Sequence, residues 1–312
     1  MVYVDLHIHT CSSDGAFSLE EIAKKAFEKD IKIIAITDHE TVDGFVRMDI
    51  DRLSSDYNIK IIPGVELSTK YNNKKLDLLG YCIDFEDNRL KSLLGGIKKI
   101  REKNLARAVE ELQKEGYTIN FEDLKKVSHG GYISNISLFW VMIEKGYVDN
   151  IVKTEKETPV DNKLIAKKLN AAQNQFGLHS KYRLYDEEPY NVFELLELIN
   201  RFGRIPVVAH PFAFKRDKKN AFENNCKEIE ELIRNLRNYL GQEKPLGIEV
   251  FYPKHNEMQR KFLVSLAQKY RLFVTGGSDF HGNPESKLEL GKIVDNNMLE
   301  AKEIEDFLRV IK

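Results

Sequence analysis

Short apolar runs alternate with amphipathic stretches along the first ninety residues of the chain. Between residues 19 and 27, apolar positions recur at i, i+3, i+4, i+7 and i+8, which predicts an amphipathic helix. Ser18 is followed three residues later by Glu21, a capping box that predicts where this helix begins. The apolar runs predict four strands, at residues 2–8, 31–37, 59–62 and 76–83.

The middle of the chain breaks this rhythm. Residues from about 90 to 200 are rich in lysine and follow mostly helical spacing. Strands are predicted again at residues 204–209, 246–251 and 272–275, and helices at 223–240, 256–269 and 300–311.

Seven strands that alternate with helices predict an α/β fold built from parallel βαβ units. A wound barrel and an open doubly wound sheet both fit this pattern. We expect residues 1–90 and 200–312 to form this unit. Residues 91–199 are expected to form a helical insertion that acts as a lid over the site.

Charge and composition narrow the functional classes. The 312 residues are 42% hydrophobic and 31% charged, a balance that supports a full hydrophobic core. Lysine and arginine number 48 and aspartate and glutamate 49, so the net charge of -1 gives no global attraction to nucleic acid or membrane. Any recognition of phosphate must therefore come from a local group of residues.

The cysteines and the amino terminus bear on location. Cys11, Cys82 and Cys226 are odd in number and far apart, so they predict neither a disulfide framework nor a zinc site. The first residues lack the basic and apolar regions of a signal peptide, and no apolar run is long enough to span a bilayer. We expect a cytoplasmic protein.

Two histidines at the end of the first predicted strand, His7 and His9, are two positions apart and therefore are expected to lie on the same face. Neutral imidazoles side by side suit Zn, Mn or Fe. Ordinary polar residues at the end of a strand would give the same spacing, so this pair alone is only weak support for a metal site.

Further candidate ligands fall at equivalent places after other predicted strands. The carboxyl ends of strands in parallel α/β folds form one face, where binding sites are built. Histidines and carboxylates brought to this face by four strands indicate a metal site. The candidate ligands are His7, His9, Asp14, His39, Glu66, Asp77, His210, Asp279 and His281.

Candidate substrate contacts come from other parts of the chain. Lys181 and Arg183 bracket Tyr182 shortly before the strands resume, and we expect them to contact phosphate. His255 follows a predicted strand and either touches the substrate or has a structural role. Neither a P-loop nor a dinucleotide-binding fingerprint is present.

Six motifs resemble those of a known family. They are Asp-Leu-His-Ile-His-Thr at 5–10, Ser-Asp-Gly at 13–15, Ile-Thr-Asp-His at 36–39, Pro-Gly-Val-Glu at 63–66, Val-Ala-His-Pro at 208–211 and Gly-Gly-Ser-Asp-Phe-His at 276–281. In order and over nearly the whole chain, they resemble the PHP (polymerase and histidinol phosphatase) family of single-chain phosphoesterases. The resemblance includes members that act on nucleoside 3',5'-bisphosphates and on RNA 5' ends.

The resemblance implies a distorted seven-stranded β/α barrel with a small inserted helical domain and a site for up to three metal ions. Carried over by position, one metal would be held by His7, His9, Glu66 and Asp279. A second metal would share Glu66 and use Asp77 and His210. A third would use Asp14, His39 and His281.

Three positions depart from the pattern of the family. Asp77 stands where histidine is usual, and aspartate can ligate the same metals with a different preference. Tyr132 lies in Gly-Tyr-Ile-Ser, where the inserted domain often has Gly-Arg-Pro-His. Phe212, not arginine, follows His-Pro. The last two departures bear on which substrate the protein takes.

The resemblance implies a phosphoesterase that uses two or three divalent ions of Zn, Mn or Fe. Such ions lower the pKa of a water molecule, which attacks phosphorus in line as hydroxide. Asp279 is the candidate residue to shuttle the proton. The expected substrate is a small phosphorylated molecule, such as a phosphate monoester, a nucleotide or a short RNA. No membrane and no stable nucleic-acid partner are expected.

Two other functions stay open. An amidohydrolase also begins with two such histidines on a barrel, although many bridge their metals with a carboxylated lysine, whereas here Glu66 has the bridging place. A non-catalytic scaffold of the same family would show loss of ligands. Among the candidate ligands, only Asp77 differs from the residue that the family usually has. This near-complete set favours an enzyme over a scaffold.

Overall fold

The computed structural model describes residues 1–46, 48–72, 74–128, 132–148, 190–201, 205–213, 221–282 and 288–311. Strands in these residues are β1 (Tyr3–Ile8), β2 (Ile31–Ile36), β3 (Lys60–Tyr71), β4 (Lys74–Tyr81), β5 (Ile205–Val208), β6 (Gly247–Phe251), β7 (Phe273–Gly276) and β8 (Leu299–Glu300). They form one sheet in the order β7-β6-β5-β4-β3-β2-β1-β8.

Helices surround this sheet in the described residues. They are α1 (Leu19–Glu28), α2 (Asp43–Val46), α3 (Ile50–Tyr57), α4 (Asn88–Lys114), α5 (Phe121–Val127), α6 (Asn135–Glu144), α7 (Val192–Arg201), α8 (Ala221–Leu240), α9 (Glu257–Tyr270) and α10 (Glu305–Val310), with a 3-10 turn at Ala301–Ile304. The predicted capping box is present, because Ser18 accepts from the backbone of Glu21 and the Glu21 side chain accepts in return. No described helix is long and apolar enough to cross a bilayer.

The sheet curls until its ends nearly meet. Ile8 at the end of β1 forms a parallel bridge with Phe280, which follows β7. The backbone N–H of His9 donates to the carbonyl of Phe280 at 2.9 Å. The expected barrel is therefore confirmed. It has an eighth strand, because the two residues of β8 pair antiparallel with β1 and are too few to leave a pattern in the sequence.

The fourth strand runs against its neighbours. β4 pairs antiparallel with both β3 and β5, so the expectation of parallel units throughout was wrong for this strand. The cause is a tight hairpin after β3, where Asn72 adopts a left-handed backbone with φ of 49°. The reversal pairs Asp77 with Ser68, two residues beyond Glu66, so Asp77 lies at the same end of the sheet as the other candidate ligands.

Helix α4 belongs to two hydrophobic clusters. Leu90, Leu94 and Ile97 in its first half pack into the main core between the sheet and its helices. Its second half packs instead with α5 and α6 in a separate cluster of Leu105, Val109, Leu112, Ile119, Leu124, Ile133, Leu138, Phe139, Val141 and Met142. The described part of the inserted segment thus has an apolar core of its own. The division of the chain at residues 91 and 199 stays a prediction.

Candidate metal centre

Four histidines surround one buried carboxylate, that of Glu66 on β3. Its Oε2 atom lies 3.2 Å from Nε2 of His7, 3.2 Å from Nε2 of His9 and 3.3 Å from Nδ1 of His39. Its Oε1 atom lies 3.2 Å from Nε2 of His210. The side chain of Glu66 is 1% exposed, so the point where these histidines converge is buried. Residues in or just after β1, β2, β3 and β5 meet here, although the sequence separates them by up to about two hundred positions.

The candidate ligands fall into three overlapping groups, in each of which the potential ligand atoms lie within 4.8 Å of one another. The groups are His7, His9 and Glu66; Glu66, Asp77 and His210; and His9, Asp14, His39 and His281. These groups resemble the three sets that the sequence resemblance implies, with two differences: Asp279 is in none of the groups, and His9 also joins the third group.

The third group contains the more exposed ligands. Nε2 of His281 lies 3.3 Å from Oδ1 of Asp14, and Nε2 of His39 lies 3.7 Å from Oδ2 of the same residue. His281 donates from Nδ1 to the carbonyl oxygen of Asp279, which leaves its Nε2 atom directed at Asp14. The side chains of Asp14, His39 and His281 are 14–21% exposed, so this group faces the opening of the site.

Asp279 lies beside the first group. Its Oδ1 atom is 3.3 Å from Nε2 of His9 and 3.7 Å from Nε2 of His7. Its Oδ2 atom accepts a hydrogen bond of 3.1 Å from the hydroxyl of Tyr252. Asp279 has a left-handed backbone with φ of 54°, the kind of strain that is common at functional sites. A side chain at Gly277 would approach the backbone nitrogen of His7 to 2.3 Å, so glycine there is needed for this close approach.

The charges of this centre balance one another. Burial lowers the pKa of His9, but the carboxylates of Asp279 and Glu66 outweigh it and raise the pKa to about 10. Burial also lowers the pKa of His210, but the carboxylate of Glu66 outweighs this effect and raises the pKa to about 9. Burial raises the pKa of Glu66, but His7 and His39 outweigh it and hold the pKa well below its usual range. Without metal, His9 and His210 therefore carry protons that offset the negative charge of the carboxylates.

The donor set fits divalent metal ions. Both ring nitrogens of His9 are buried, and they lie 3.2–3.7 Å from oxygens of Glu66, Asp279 and Asp14. Neither nitrogen makes an aligned hydrogen bond with any described residue. His9 therefore lies close to three carboxylates without an aligned hydrogen bond to any of them, an arrangement that a shared cation would satisfy. Imidazole and carboxylate ligands together suit Zn, Mn or Fe.

Sequence reasoning missed the residues that support these ligands. Glu249 on β6 accepts hydrogen bonds from His7 and from the backbone of His210. Asp5 accepts from the backbone and hydroxyl of Ser278, just before Asp279. Each of these carboxylates is fully buried. The available signal was a charged residue within an apolar strand, as in Val-Asp-Leu and Ile-Glu-Val.

A further carboxylate supports the loop between β1 and α1. Asp38 is fully buried and accepts from the backbone N–H and the hydroxyl of Thr10, at 2.7 and 2.6 Å. The hydroxyl of Ser13, which precedes Asp14, also donates to Asp38. Asp38 therefore joins the end of β2 to the loop that brings His9 and Asp14 into the site.

The three expected substrate contacts have different outcomes. Lys181 and Arg183 lie outside the described residues. His255 is 2% exposed and donates from Nδ1 to the carbonyl of Val250 at 3.0 Å. Burial lowers the pKa of His255 to about 4, so its ring is neutral near pH 7. Its ring packs against Phe212 and Tyr252, close to His210, and its contact with a substrate stays a prediction.

The inserted segment reaches the metal centre. The ring of Tyr132, between α5 and α6, stacks on that of His39 with centroids 6.2 Å apart and 16° between their planes. Arg101 of α4 forms a two-pronged ion pair with Glu40, the residue after His39, with its Nε donating to Oε2 at 2.7 Å. The Arg101 guanidinium also lies 5.4 Å from the centre of the Tyr132 ring. These contacts place part of the insertion beside the third group of ligands.

Comparisons with known proteins agree with this geometry. A family model described as the PHP domain matches residues 5–251. The chain is 25% identical over 291 residues to a 5'-3' exoribonuclease of Haemophilus influenzae, covering 93% of this chain and 94% of the relative. It is 25% identical over 300 residues to a 3',5'-nucleoside bisphosphate phosphatase of Chromobacterium violaceum, covering 95% and 93%. Both relatives hydrolyse phosphoesters, which confirms the expected class of reaction.

A solved structure shows the same fold. It is that of a Chromobacterium violaceum protein described as an amidohydrolase with bound sulfate, which superimposes with a TM-score of 0.71 over 98% of this chain and 96% of its own. The two sequences are 19% identical, so the likeness concerns the fold and does not transfer the activity in its description.

Proposed function

Because the chain belongs to the PHP domain family, we propose that it is a metal-dependent enzyme that hydrolyses a phosphate monoester or a nucleotide or oligonucleotide phosphoester. The observation that carries the proposal is the convergence of His7, His9, His39 and His210 on the buried carboxylate of Glu66. Burying so many titratable groups is costly unless a cation or a hydrogen-bond partner satisfies them. A carboxylate surrounded by histidines can bridge two adjacent metal ions, each of which is also bound by histidine.

Three metal positions follow from the groups of ligands. His7, His9, Glu66 and Asp279 would hold the first ion, Glu66, Asp77 and His210 the second, and Asp14, His39 and His281 the third. The first two would share Glu66, whose two oxygens face different histidines. We propose that two or three of these positions take Zn, Mn or Fe.

Divalent ions at these positions would supply a nucleophile from water near neutral pH and neutralise charge on the phosphoryl group. The chain contributes Asp279 as the candidate proton acceptor. Burial raises the pKa of Asp279, but the positive charge of His281, together with His9 and His7, outweighs it and lowers the pKa below its usual range. The carboxyl is therefore ionised near pH 7, and Tyr252 fixes its Oδ2 atom.

We propose that the inserted segment, residues 91–199, lies over the site and contributes to substrate selectivity. Tyr132 and the Arg101–Glu40 pair support this role, because they hold the segment against His39. A metal centre binds phosphate oxygens, but it does not distinguish one organic group from another. Residues beside the metal centre would have to do so, and the ring of Tyr132 next to His39 supports this role.

The class of substrate is a nucleotide or a short RNA with a terminal phosphate. The relatives named above act on RNA and on nucleoside bisphosphates, and these substrates share a phosphoryl group next to a ribose. A net charge of -1 does not favour stable binding of long nucleic acid. The substrate is thus expected to bind and leave as a small molecule, and a cytoplasmic location stays a prediction from the cysteine content.

A substrate panel tests the proposal. The protein would be stripped with a chelator, reloaded with Zn, Mn or Fe(II), and assayed on nucleoside bisphosphates, 5'-phosphorylated short RNA, sugar phosphates and amides. We expect turnover of a phosphoester and none in Glu66→Gln, which keeps the shape of the side chain but not its charge. Turnover of amides alone would indicate an amidohydrolase. A metal-loaded protein that turns over none of these compounds would indicate a scaffold.

A further inference from the structure

We propose that Glu249 is a positioning residue that holds one ligand of each Glu66-centred metal group in place, and this inference rests on the metal-centred function proposed above. Glu249 lies in the middle of β6 and its side chain has no exposure to solvent. Its Oε1 atom accepts a hydrogen bond of 3.0 Å from Nδ1 of His7. Its Oε2 atom accepts one of 2.8 Å from the backbone N–H of His210.

The contact with His7 fixes which ring nitrogen can bind metal. Because a carboxylate only accepts hydrogen bonds, Nδ1 of His7 must carry the proton. When a metal ion displaces the proton on Nε2, that atom offers its lone pair to the metal, and it already points at Glu66, 3.2 Å from Oε2. A carboxylate behind a ligating imidazole also makes that ring more basic and more strongly bound to metal.

The contact with His210 acts through the backbone. His210 has a φ of 24°, a left-handed value that residues other than glycine rarely adopt. It follows the last paired residues of β5, so its N–H has no partner in the sheet and is satisfied by Glu249. This backbone geometry carries the ring to Glu66, where Nε2 lies 3.2 Å from Oε1. One carboxylate therefore sets two ligands that belong to different groups.

The fold itself gives little reason for a charge at this position. A buried carboxylate is tolerated only where its oxygens are well paired, and the side chain of Glu249 has no exposure to solvent. Both oxygens of Glu249 are used by the two site histidines. We conclude that the carboxylate serves the metal centre.

Glu249→Gln is the sharpest test of this role. Glutamine keeps the size of the side chain, but one of its two terminal atoms donates instead of accepting. Whichever way the amide turns, it meets the N–H of His7 or that of His210 with a second donor. We expect the dissociation constant for Zn or Mn, measured by calorimetry on chelator-treated protein, to rise about 10- to 100-fold. Excess metal should restore most of the turnover, because Glu249 does not touch the substrate.

Thr275→Val is the matched control. Thr275 is fully buried and pairs with Glu249 across β6 and β7, so the change lies in the same part of the barrel. Valine also has nearly the same shape as threonine. We expect its metal affinity to equal that of the wild type. Thermal unfolding of both variants in the metal-free state separates a loss of folding from a loss of metal affinity.

A measurement on the unaltered protein covers the case in which Glu249→Gln does not fold. In zinc-loaded wild type, carbon and nitrogen chemical shifts of the histidine rings should show His7 protonated at Nδ1 and bound through Nε2. Binding through Nδ1, or an unchanged metal affinity in a folded Glu249→Gln variant, would overturn this inference and leave the proposed function intact. A wild type that binds no metal would instead overturn the proposed function.

Discussion

Tyr132 lies parallel to His39, with the centres of the two rings 6.2 Å apart. His39 is a candidate ligand on the barrel, whereas Tyr132 belongs to the inserted segment, so this contact joins the two parts of the chain at the opening of the site. Burial keeps the pKa of the Tyr132 hydroxyl well above its usual range. Arg101 lowers this pKa, whereas the nearby carboxylates of Glu40, Asp14 and Glu66 raise it. The hydroxyl therefore stays protonated and able to donate at any physiological pH.

We expect Tyr132→Ala to raise the KM for the substrate about two- to tenfold, because an aromatic contact contributes about 0.5–1.5 kcal/mol. Metal content should not change, since Tyr132 offers no ligand. Tyr132→Phe keeps the ring and isolates the hydroxyl. Tyr239→Ala, a half-exposed tyrosine on α8, is the control for a general effect of removing a surface ring. Unchanged kinetics in Tyr132→Ala would exclude this residue from substrate recognition.

The paired cations of the insertion give a second test of the lid. We expect the double variant Lys181→Ala, Arg183→Ala to lower kcat/KM about tenfold or more, because a hydrogen bond to a charged group contributes about 1.5–3 kcal/mol. Lys125→Ala is the matched control, since Lys125 is an exposed lysine of the insertion that pairs with Glu122. If the double variant behaves like this control on the true substrate, Lys181 and Arg183 do not bind phosphate.

The departure at position 77 predicts a change in metal preference. Asp77 accepts a hydrogen bond of 2.7 Å from Ser68, which holds it in the group with Glu66 and His210. We expect Asp77→Ala to lose the ion of this group and most of the activity. Asp77→His should keep the ion and shift the preference from Mn towards Zn, since imidazole suits zinc better than carboxylate does. Metal analysis with Zn and Mn in competition measures both effects. Full metal content and activity in Asp77→Ala would contradict the assignment.

The pKa shifts predict opposite effects of pH on the metal-free protein and on metal binding. The folded pKa values of His9 and His210, about 10 and about 9, exceed the unfolded value of about 6.5. Their stabilising effect is therefore complete below about pH 6.5 and is lost as pH rises through 9–10. The lowered pKa of Glu66 acts in the other direction, because its contribution is present above about pH 4.3 and is lost as pH falls.

We therefore expect chelator-treated protein to be most stable near pH 5–6.5, and its Tm to fall towards pH 9. Metal ions must displace the histidine protons, so apparent metal affinity should rise over the same range. Thermal unfolding from pH 4 to 10, with and without metal, checks both statements. A metal-free Tm that rises between pH 6.5 and 9 would contradict the charge balance described here.

The sequence could predict that the candidate ligands lie close together, because each follows or lies in a strand, and strand order brings such positions to one end of a barrel. Their binding of metal stays a prediction. His7, His210 and Asp279 could be identified in this way. The supporting residues could not, because Glu249 and His7 are 242 positions apart and only the folded chain shows that they meet. The hairpin between β3 and β4 was missed because Ser68, Thr69 and Lys70 interrupt the apolar run, although Asn72-Asn73 is a typical turn signal.

The central claim is that metal ions occupy the space around Glu66, and anomalous diffraction from crystals of metal-loaded protein tests it most directly. We predict two or three peaks, two of which share Glu66 as a ligand, with metal–ligand distances of about 2.0–2.3 Å. The first peak should be bound by His7 and His9, and another by His210. The account would be contradicted if folded protein saturated with Zn or Mn showed no anomalous peak within coordination distance of Glu66.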